Sequence, residues 1–309
     1  MQDTTLNSKR IIRIGTRGSE LALWQAHYVR DILGKDNTEV IIIKTQGDKI
    51  QNVSFDKMEG KGFFTKEIED SLIGGDIDLA VHSLKDLPTE MVPELMIAAI
   101  PERENPSDIL LIKKESFQRD RYIPLSDNAV IGTSSLRRAA QMLHENKSFV
   151  IEPIRGNVNT RLRKLREGHF DAIILAYAGL KRINIDISDL VAHVLPYSFF
   201  LPAPAQGALA LQVRKDDTEL QEMLRPLTDP ATASAIESER AFLQHFGGGC
   251  HIPIGAYAYI ENGTIHLSGM VAAQDGSRLI RKNIEGTDPG IMGKTLADML
   301  KKEGAEELL

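Results

Sequence analysis

Short apolar runs alternate with amphipathic segments through the first two thirds of the chain. Residues 11–15 have the pattern of a buried strand, and residues 19–33 have the pattern of a helix that its first residue caps and Gly34 ends. Further strand patterns lie at 40–44 and 77–81, with a helical pattern between them. This order predicts an α/β fold with parallel sheets and functional loops at the carboxyl ends of the strands.

Two segments of this region are built alike. Ile14-Gly15-Thr16 at the end of one strand is echoed by Ile131-Gly132-Thr133 at the end of another. The helix predicted over 66–73, which Gly74-Gly75 stops, belongs to the first segment. The echo predicts two related α/β lobes that face each other across a cleft.

Two proline-rich stretches are the predicted crossings between the lobes. Residues 101–106 are charged and bounded by proline, and residues 195–206 contain three prolines. The strand pattern at 208–213 follows the second stretch and returns the chain to the first lobe. Two crossings of this kind make a hinge.

The last part of the chain predicts a small α+β domain. A helix begins at Asp229-Pro230, three alternating strand patterns follow at 256–260, 265–273 and 279–284, and a final helix begins at Asp288-Pro289. The predicted domains are a discontinuous first lobe of residues 1–105 and 202–225, a second lobe of residues 106–201, and a third domain of residues 226–309.

The composition is ordinary for a globular protein of 309 residues, with 42% hydrophobic and 26% charged residues. The longest apolar run, 172–180, is too short to span a bilayer, and the first ten residues lack an apolar signal core. A single cysteine fits a reducing compartment. These features predict a cytoplasmic or organelle-stromal protein without a membrane partner, and we take the cytoplasm as the location. The lack of an obvious interface stripe predicts a monomer. No nucleotide-binding motif and no clustered metal ligands occur in the sequence.

The net charge of −6 argues against general nucleic-acid binding, but the charge is unevenly distributed. Between Thr133 and Arg182 there are ten basic and four acidic residues, which gives this segment a net charge of +6. A local basic patch on an acidic protein predicts a confined anion site, although a solvated helix face explains part of the patch.

Four clusters of polar and cationic residues follow predicted strands, where a cleft would be lined. They are residues 16–19, 82–86, 132–138 and 155–157, and they include Arg17, Arg137, Arg138 and Arg155. The planar fork of arginine pairs with carboxylate in a bidentate way, so convergent arginines predict a ligand rich in carboxylates or phosphates. The alternative for each arginine is a surface position or the neutralisation of a neighbouring acid.

Asp86 and Cys250 are the candidate reactive residues. In a cationic pocket Asp86 would ionise readily and would stabilise developing positive charge or move protons; the alternatives are a helix cap or a salt bridge to Lys85. Cys250 is the only cysteine, and it follows three glycines. Its thiol is therefore a nucleophile, an attachment point or an inert side chain in a turn.

Nine stretches of the chain, taken together and in order, resemble the porphobilinogen deaminase (hydroxymethylbilane synthase) family. They are residues 13–19, 60–67, 80–88, 132–138, 154–162, 171–175, 180–182, 204–208 and 248–255. The resemblance implies two periplasmic-binding-protein-like lobes with a hinge, and a small α+β third domain that carries the cofactor cysteine.

The resemblance also implies an activity and a cofactor. Family members carry a dipyrromethane cofactor, which a thioether would join to Cys250 here. The cofactor primes the addition of four porphobilinogen molecules with loss of ammonia, and hydrolysis then releases hydroxymethylbilane. Each pyrrole bears acetate and propionate groups, so an arginine-lined cleft suits the growing chain.

By the same resemblance Asp86 is the catalytic acid, which assists the departure of ammonia and holds the pyrrole nitrogens of a cationic intermediate. Lys61 and Phe64 match a loop that closes over the site. The cofactor-binding and substrate-binding residues implied are Arg17, Ser19, Lys61, Phe64, Ser83, Lys85, Thr133, Ser134, Ser135, Arg137, Arg138, Arg155, Gly156, Arg161, Arg182 and Gln206.

Two other classes of protein compete with this interpretation. A non-enzymatic, two-lobed anion-binding protein of the periplasmic type would have the same lobes and arginines, but it needs neither Asp86 nor a thiol in a third domain, and it would carry a secretion signal. A nucleic-acid-binding regulator would have aromatic residues among its arginines, and none lies in the Arg137-Arg138 cluster.

Overall fold

A computed structural model of the chain describes residues 10–45, 65–248 and 252–309. The strands are, in chain order, β1 (Ile12–Thr16), β2 (Thr38–Ile42), β3 (Leu79–Ser83), β4 (Leu95–Ala99), β5 (Asp108–Lys113), β6 (Val130–Gly132), β7 (Val150–Glu152), β8 (Ala172–Ala176), β9 (Leu190–Leu195), β10 (Leu209–Arg214), β11 (Ile254–Glu261), β12 (Thr264–Ala272) and β13 (Leu279–Gly286). The α-helices are α1 (Glu20–Leu33), α2 (Lys66–Ile73), α3 (Leu136–Glu145), α4 (Val158–Arg166), α5 (Tyr177–Ile183), α6 (Thr218–Leu224), α7 (Pro230–Gln244) and α8 (Pro289–Lys302).

The strands of the first two thirds form two five-stranded sheets with the same spatial arrangement of strand directions. The first has the order β2-β1-β3-β10-β4 and the second the order β7-β6-β8-β5-β9. In each sheet four strands run in the same direction, while β10 in the first and β5 in the second run antiparallel to both of their neighbours. The sheets are therefore mixed, and the prediction of parallel sheets was wrong for these two strands. Apolar clusters cover both faces of each sheet.

Local chemistry fixes the helix ends that the sequence predicted. Ser19 Oγ accepts a hydrogen bond from the Ala22 amide at the start of α1, and Gly34 adopts a positive φ of 93° at its end. Helix α2 ends at Ile73, and Gly74 is its C-cap. Asp229 caps α7, where Pro230 occupies the first turn. Strand bounds differ from the predicted ones by one or two residues, because apolar patterns do not mark where pairing stops.

The chain crosses between the two sheets twice, once between β4 and β5 and once between β9 and β10. The crossings touch, since the Glu104 amide donates to the Gly207 carbonyl at 3.2 Å. Gly207 has a φ of 90°, and a side chain there would collide with the backbone carbonyl of Glu104. The prediction of two α/β lobes joined by paired crossings, with a small α+β unit after them, is confirmed.

The last unit is a three-stranded antiparallel sheet, β11-β12-β13, packed against α7 and α8. Its core cluster includes Phe242 and Leu296, both fully buried. None of the helices in the described part of the chain is long and apolar enough to span a bilayer.

A buried carboxylate on α7 ties this unit to both crossings. Glu239, which is 0% exposed, accepts hydrogen bonds from Arg103 at 2.6 and 3.1 Å and from the amides of Ala205 and Ala258 at 2.6 and 2.7 Å. Arg103 lies on the first crossing, Ala205 on the second and Ala258 on β11. All three segments therefore meet at one side chain, and its charge is compensated.

Candidate active site

The cleft side of the first lobe brings together residues from the carboxyl ends of β1 and β3. These strands are parallel neighbours, so the segments that follow them lie at the same edge of the sheet. A cavity of about 90 Å³ opens at this edge. Its lining includes the predicted site residues Arg17, Ser19, Ser83 and Asp86, and also Gln25, Thr65 and His82.

Hydrogen bonds hold three polar side chains in this lining, Gln25, Ser83 and His82. Gln25 Nε2 donates to Ser83 Oγ at 2.7 Å. His82 Nε2 lies 3.0 Å from Gln212 Oε1, and Gln212 Nε2 in turn donates to Glu69 at 2.9 Å. Burial lowers the pKa of His82 to about 4, against the opposing effect of the Gln212 hydrogen bond. The ring is therefore neutral at pH 7 and is anchored as a hydrogen-bonded structural histidine.

Lys85 and Asp86 lie side by side in a short 3-10 turn after β3. The Asp86 side chain is exposed, whereas Lys85 is partly buried and donates to Gln206 Oε1 at 3.3 Å. Burial lowers the pKa of Lys85 to about 8; Asp86 opposes this shift and the charge of Arg138 adds to it. The ammonium is therefore destabilised, and a bound carboxylate would stabilise it.

The second lobe contributes the segment between β6 and α3. The Ser135 amide donates to Thr133 Oγ1 at 3.2 Å, and Ser134 Oγ donates to the Ile154 carbonyl at 2.9 Å. Ser135 occupies the N-cap position of α3, but its side chain makes no capping hydrogen bond. The hydroxyls of Thr133 and Ser134 therefore fix the loop itself and do not cap the helix.

Arg137 and Arg138 are buried against Asp108, the first residue of β5. Arg137 Nη1 donates to Asp108 Oδ2 at 2.7 Å and to the Leu201 carbonyl at 2.6 Å. Arg138 donates to Asp108 Oδ1 through Nη2 at 2.7 Å and through Nε at 3.0 Å. Gln206 Nε2 reaches the same oxygen at 2.9 Å. Three predicted site residues, Arg137, Arg138 and Gln206, thus form one buried cluster with Asp108, which the sequence did not predict.

The charges in this cluster do not cancel. Burial alone would raise the pKa of Asp108, but the charges and hydrogen bonds of Arg137 and Arg138 hold it well below its usual range. One carboxylate therefore faces two guanidinium groups, which leaves an excess positive charge. Arg137 and Arg138 thus neutralise a neighbouring acid, which was the alternative to ligand binding for each arginine. A ligand-binding role for them stays a prediction.

A further cation comes from α4. Arg161 Nε donates to the Gly156 carbonyl at 2.8 Å, and Gly156 itself has a φ of 112° that favours glycine. Burial lowers the pKa of Arg161 to about 10; Arg138 lowers it further and Asp86 opposes the shift. Arg155, on the same loop, is half-buried. The pKa of Arg161 therefore depends on charges from both lobes, on Arg138 of the second and Asp86 of the first.

Arg182 and Gln206 lie where the lobes meet. Arg182, on α5, donates to the Gly207 carbonyl at 2.7 Å, and its guanidinium carbon lies 5.6 Å from the ring centre of Trp24 on α1. Gln206 is buried, and besides Asp108 its amide donates to the Pro106 carbonyl at 2.7 Å. Both residues join the lobes to the crossings.

Three predicted site residues, Lys61, Phe64 and Cys250, lie outside the described residues. The chain next to the last of these is described as far as Gly248. Gly248 has a φ of 69°, and a side chain there would collide with Thr89 Oγ1. The described end of the segment that leads to Cys250 therefore lies against Thr89, which is three residues after Asp86 in the sequence.

The sequence interpretation missed two buried acids. Asp108 directly precedes the apolar run Ile109 to Ile112. An acid next to such a run was a usable signal of a buried ion pair. Glu239 lies in the interior of α7 and carries no comparable signal, because its partners Arg103 and Ala258 are far away in the sequence. In the described part of the chain, no group of three or more His, Cys, Asp or Glu side chains is arranged to hold a metal.

These features define a class of protein: a two-lobed α/β protein whose cationic cleft contains the exposed carboxylate of Asp86, joined to a small α+β unit. The chain belongs to the porphobilinogen deaminase family. The family model for the porphobilinogen deaminase dipyrromethane cofactor binding domain matches residues 12–222, and the model for the C-terminal domain matches residues 233–302.

Curated relatives of the chain are named porphobilinogen deaminase. The chain is similar to the porphobilinogen deaminase of Nostoc sp., with 43% identity covering 100% of this chain and 97% of the relative. It is also similar to that of Lawsonia intracellularis, with 46% identity covering 96% and 97%. Solved structures to which it is similar include an arginine-specific periplasmic binding protein of Salmonella typhimurium, with 14% identity, a TM-score of 0.40 and coverage of 72% of this chain and 94% of that one.

The family establishes the activity and the cofactor. The chain is a transferase of tetrapyrrole biosynthesis that polymerises porphobilinogen, and the cofactor of its family is dipyrromethane. The predictions of family, enzyme class, substrate and cofactor are confirmed.

Proposed function

We propose that Asp86 is the catalytic acid of this enzyme and that Cys250 is the attachment point of its dipyrromethane cofactor. The observation that supports the role of Asp86 is its place: an exposed carboxylate whose charge acts on Lys85 and on Arg161 of the other lobe. Loss of ammonia requires a proton on the leaving amine and leaves positive charge on the pyrrole. A fixed carboxylate among cations stabilises that charge and moves the proton.

The cations around Asp86 fit the acidic cofactor and substrate. Burial lowers the pKa values of Lys85 and Arg161 to about 8 and about 10, and Arg138 lowers both further. Carboxylates that enter this region relieve the unfavourable burial of positive charge. We propose that the remaining predicted residues also bind the cofactor or the substrate, namely Arg17, Ser19, Lys61, Phe64, Ser83, Thr133, Ser134, Ser135, Arg137, Arg138, Arg155, Gly156, Arg182 and Gln206.

When bound, dipyrromethane supplies a reactive pyrrole carbon to which the first substrate unit is joined. The chain's own residues bind and orient the reactants and move the proton. Lys85 and Arg161 bind and orient carboxylates, and Ser83, held by Gln25 at 2.7 Å, offers its hydroxyl at the same cavity. Asp86 holds or moves the proton. This division matches the chemistry of a polyanionic chain that must bind tightly and still react.

The attachment proposal predicts a mass difference. Intact-mass measurement of the purified protein should give an excess equal to two linked pyrrole units, and Cys250→Ser should lack it because the hydroxyl does not form the thioether. Freshly prepared protein without the excess, even after incubation with porphobilinogen, would contradict the proposal. The same excess on Cys250→Ser would place the attachment elsewhere.

Cofactor assembly in the apoprotein should slow as the pH rises through about 8, because Lys85 then loses the charge that attracts carboxylates. The sign follows from the lowered pKa: the ammonium is present below about 8 and is lost above it. Intact mass after a fixed incubation at pH 7, 8 and 9 measures the loaded fraction. Lys85→Arg, which keeps its charge, should remove this component of the pH dependence. An identical profile for the variant would contradict the role of Lys85.

We further propose that the enzyme works as a monomer in the cytoplasm, without nucleic-acid or membrane partners. The single cysteine, which suits a reducing compartment, and the negative net charge support this. The division into residues 1–105 with 202–225, 106–201 and 226–309 is likewise proposed, with its support in the separate sheets of the three units.

A further inference from the structure

Arg240, on α7, holds the two residues that follow Asp86. Its Nη1 donates to the Leu87 carbonyl at 3.0 Å and its Nη2 to the Pro88 carbonyl at 2.6 Å. A guanidinium group presents parallel donors in a fixed geometry, so one side chain restrains two consecutive peptide groups. The family model for the C-terminal domain includes Arg240, whereas Asp86 lies within the model for the cofactor-binding domain. The contact therefore joins the two parts of the chain at the proposed catalytic acid.

The position of Asp86 depends on its backbone, because its side chain is exposed. On the lobe side, the Leu84 amide donates to the Ala208 carbonyl at 3.0 Å and the Leu87 amide to the Leu84 carbonyl at 3.2 Å. On the other side lies α7, which contributes Ile236 to the same apolar cluster as Leu84 and Leu87. The turn is thus held between β10 and α7.

Packing on the α7 side is incomplete. A cavity of about 340 Å³ lies beside Arg240, and its lining includes Thr89, Ile97 and Gln244. The cavity is open to solvent, so within the described part of the chain no protein group packs against this side of Thr89 there. The two hydrogen bonds from Arg240 restrain residues 87 and 88 next to this opening.

The same helix leads to the proposed attachment site. Helix α7 ends at Gln244, and the chain reaches Gly248, whose backbone lies against Thr89. Arg240 and Gly248 therefore contact neighbouring residues of the segment that follows Asp86. We propose that Arg240 is a positioning residue that sets the orientation of the Asp86 carboxylate. This inference rests on the role proposed above for Asp86.

The test compares Arg240→Met, which keeps most of the apolar stem and removes both donors, with Arg240→Lys, which keeps the charge but donates from a single nitrogen. Arg281→Met is the matched control. Arg281 is also an arginine of the C-terminal unit that donates to backbone carbonyls of a lobe, at 2.7 Å to Ser198 and 3.3 Å to Tyr197, but these lie on the segment after β9.

Cofactor loading is measured first by intact mass, and kcat and KM for porphobilinogen are then measured on the loaded fraction. We expect Arg240→Met to lose about 10- to 100-fold in kcat, the effect of a misplaced reacting group, with little change in KM. Arg240→Lys should lose less, and Arg281→Met should match the wild type. If Arg240→Met is recovered unfolded or unloaded, Arg240→Gln, which is too short to span both carbonyls, replaces it in every comparison.

A double-mutant cycle with Asp86→Asn separates positioning from a general structural effect. If Arg240 acts through Asp86, Arg240→Met should change kcat by no more than about twofold in the Asp86→Asn background. A full additional loss in that background would overturn the inference, as would a wild-type kcat for loaded Arg240→Met. Near-normal turnover of Asp86→Asn alone would instead refute the proposed role of Asp86, and with it the inference.

Discussion

We expect Asp86→Asn to lose about 10²- to 10⁴-fold in turnover, the range in which a positioned acid or base contributes. The amide has almost the same shape, but it neither carries negative charge nor exchanges a proton at neutral pH. Because the Asp86 side chain is exposed, the fold should not suffer. Steady-state turnover of porphobilinogen, measured on protein whose cofactor loading has been checked by intact mass, gives the result.

Asp298→Asn is the control for this substitution. Asp298 is an exposed aspartate on α8, in the C-terminal unit, and the same loss of charge there should leave turnover unchanged. Thermal unfolding of both variants should match the wild type. Turnover of Asp86→Asn close to that of Asp298→Asn would contradict the catalytic role of Asp86.

The second large effect concerns stability. Asp108→Asn should reduce the free energy of unfolding by about 3–5 kcal/mol, because it leaves the buried guanidinium groups of Arg137 and Arg138 without a counter-charge. Urea unfolding at pH 7, on protein of equal cofactor loading, measures the loss. The amide of Gln206 would also lose a charged acceptor at 2.9 Å.

Asp189→Asn separates burial from ion pairing. Asp189 also pairs with an arginine, Arg166, at 2.7 Å, but the two side chains are 50% and 38% exposed. Solvent screens this pair, so its loss should cost less than about 1 kcal/mol. Equal losses for the two variants would show that burial of the Asp108 cluster contributes nothing.

The same pairing fixes the sign of a pH effect. The pKa of Asp108 in the folded chain lies well below its usual value, so its stabilising contribution is present above the unfolded pKa of about 4 and is lost as the pH falls further. The wild type should therefore lose unfolding free energy on acidification. Asp108→Asn should lack this component.

The sequence was informative where chemistry acts over a few residues. Ser19 and Gly34 bound α1, and Asp229 with Pro230 begins α7, because caps and prolines act on their immediate neighbours. Prolines likewise marked both crossings. Residues at the ends of β1 and β3 could be predicted to meet, because parallel neighbouring strands end at the same edge of a sheet.

Contacts between residues far apart in the sequence could not be predicted in the same way. An apolar run shows neither the direction of a strand nor its neighbours, so the antiparallel placement of β5 and β10 was missed. Arg137 meets Asp108, which is 29 residues away, and Arg240 meets Leu87, which is 153 residues away. No local pattern distinguishes an arginine that binds ligand from one that neutralises a buried acid.

The order of strands in the first sheet has a consequence for synthesis on the ribosome. The second sheet uses β5 to β9 without interruption, whereas the first sheet needs β10, which lies between β3 and β4. Domains fold as they emerge during translation. The second sheet therefore has all its strands while β4, whose sheet neighbour is β10, is still unpaired. Of the two lobes, the one that begins synthesis first is completed second, only when Arg214 has left the exit tunnel.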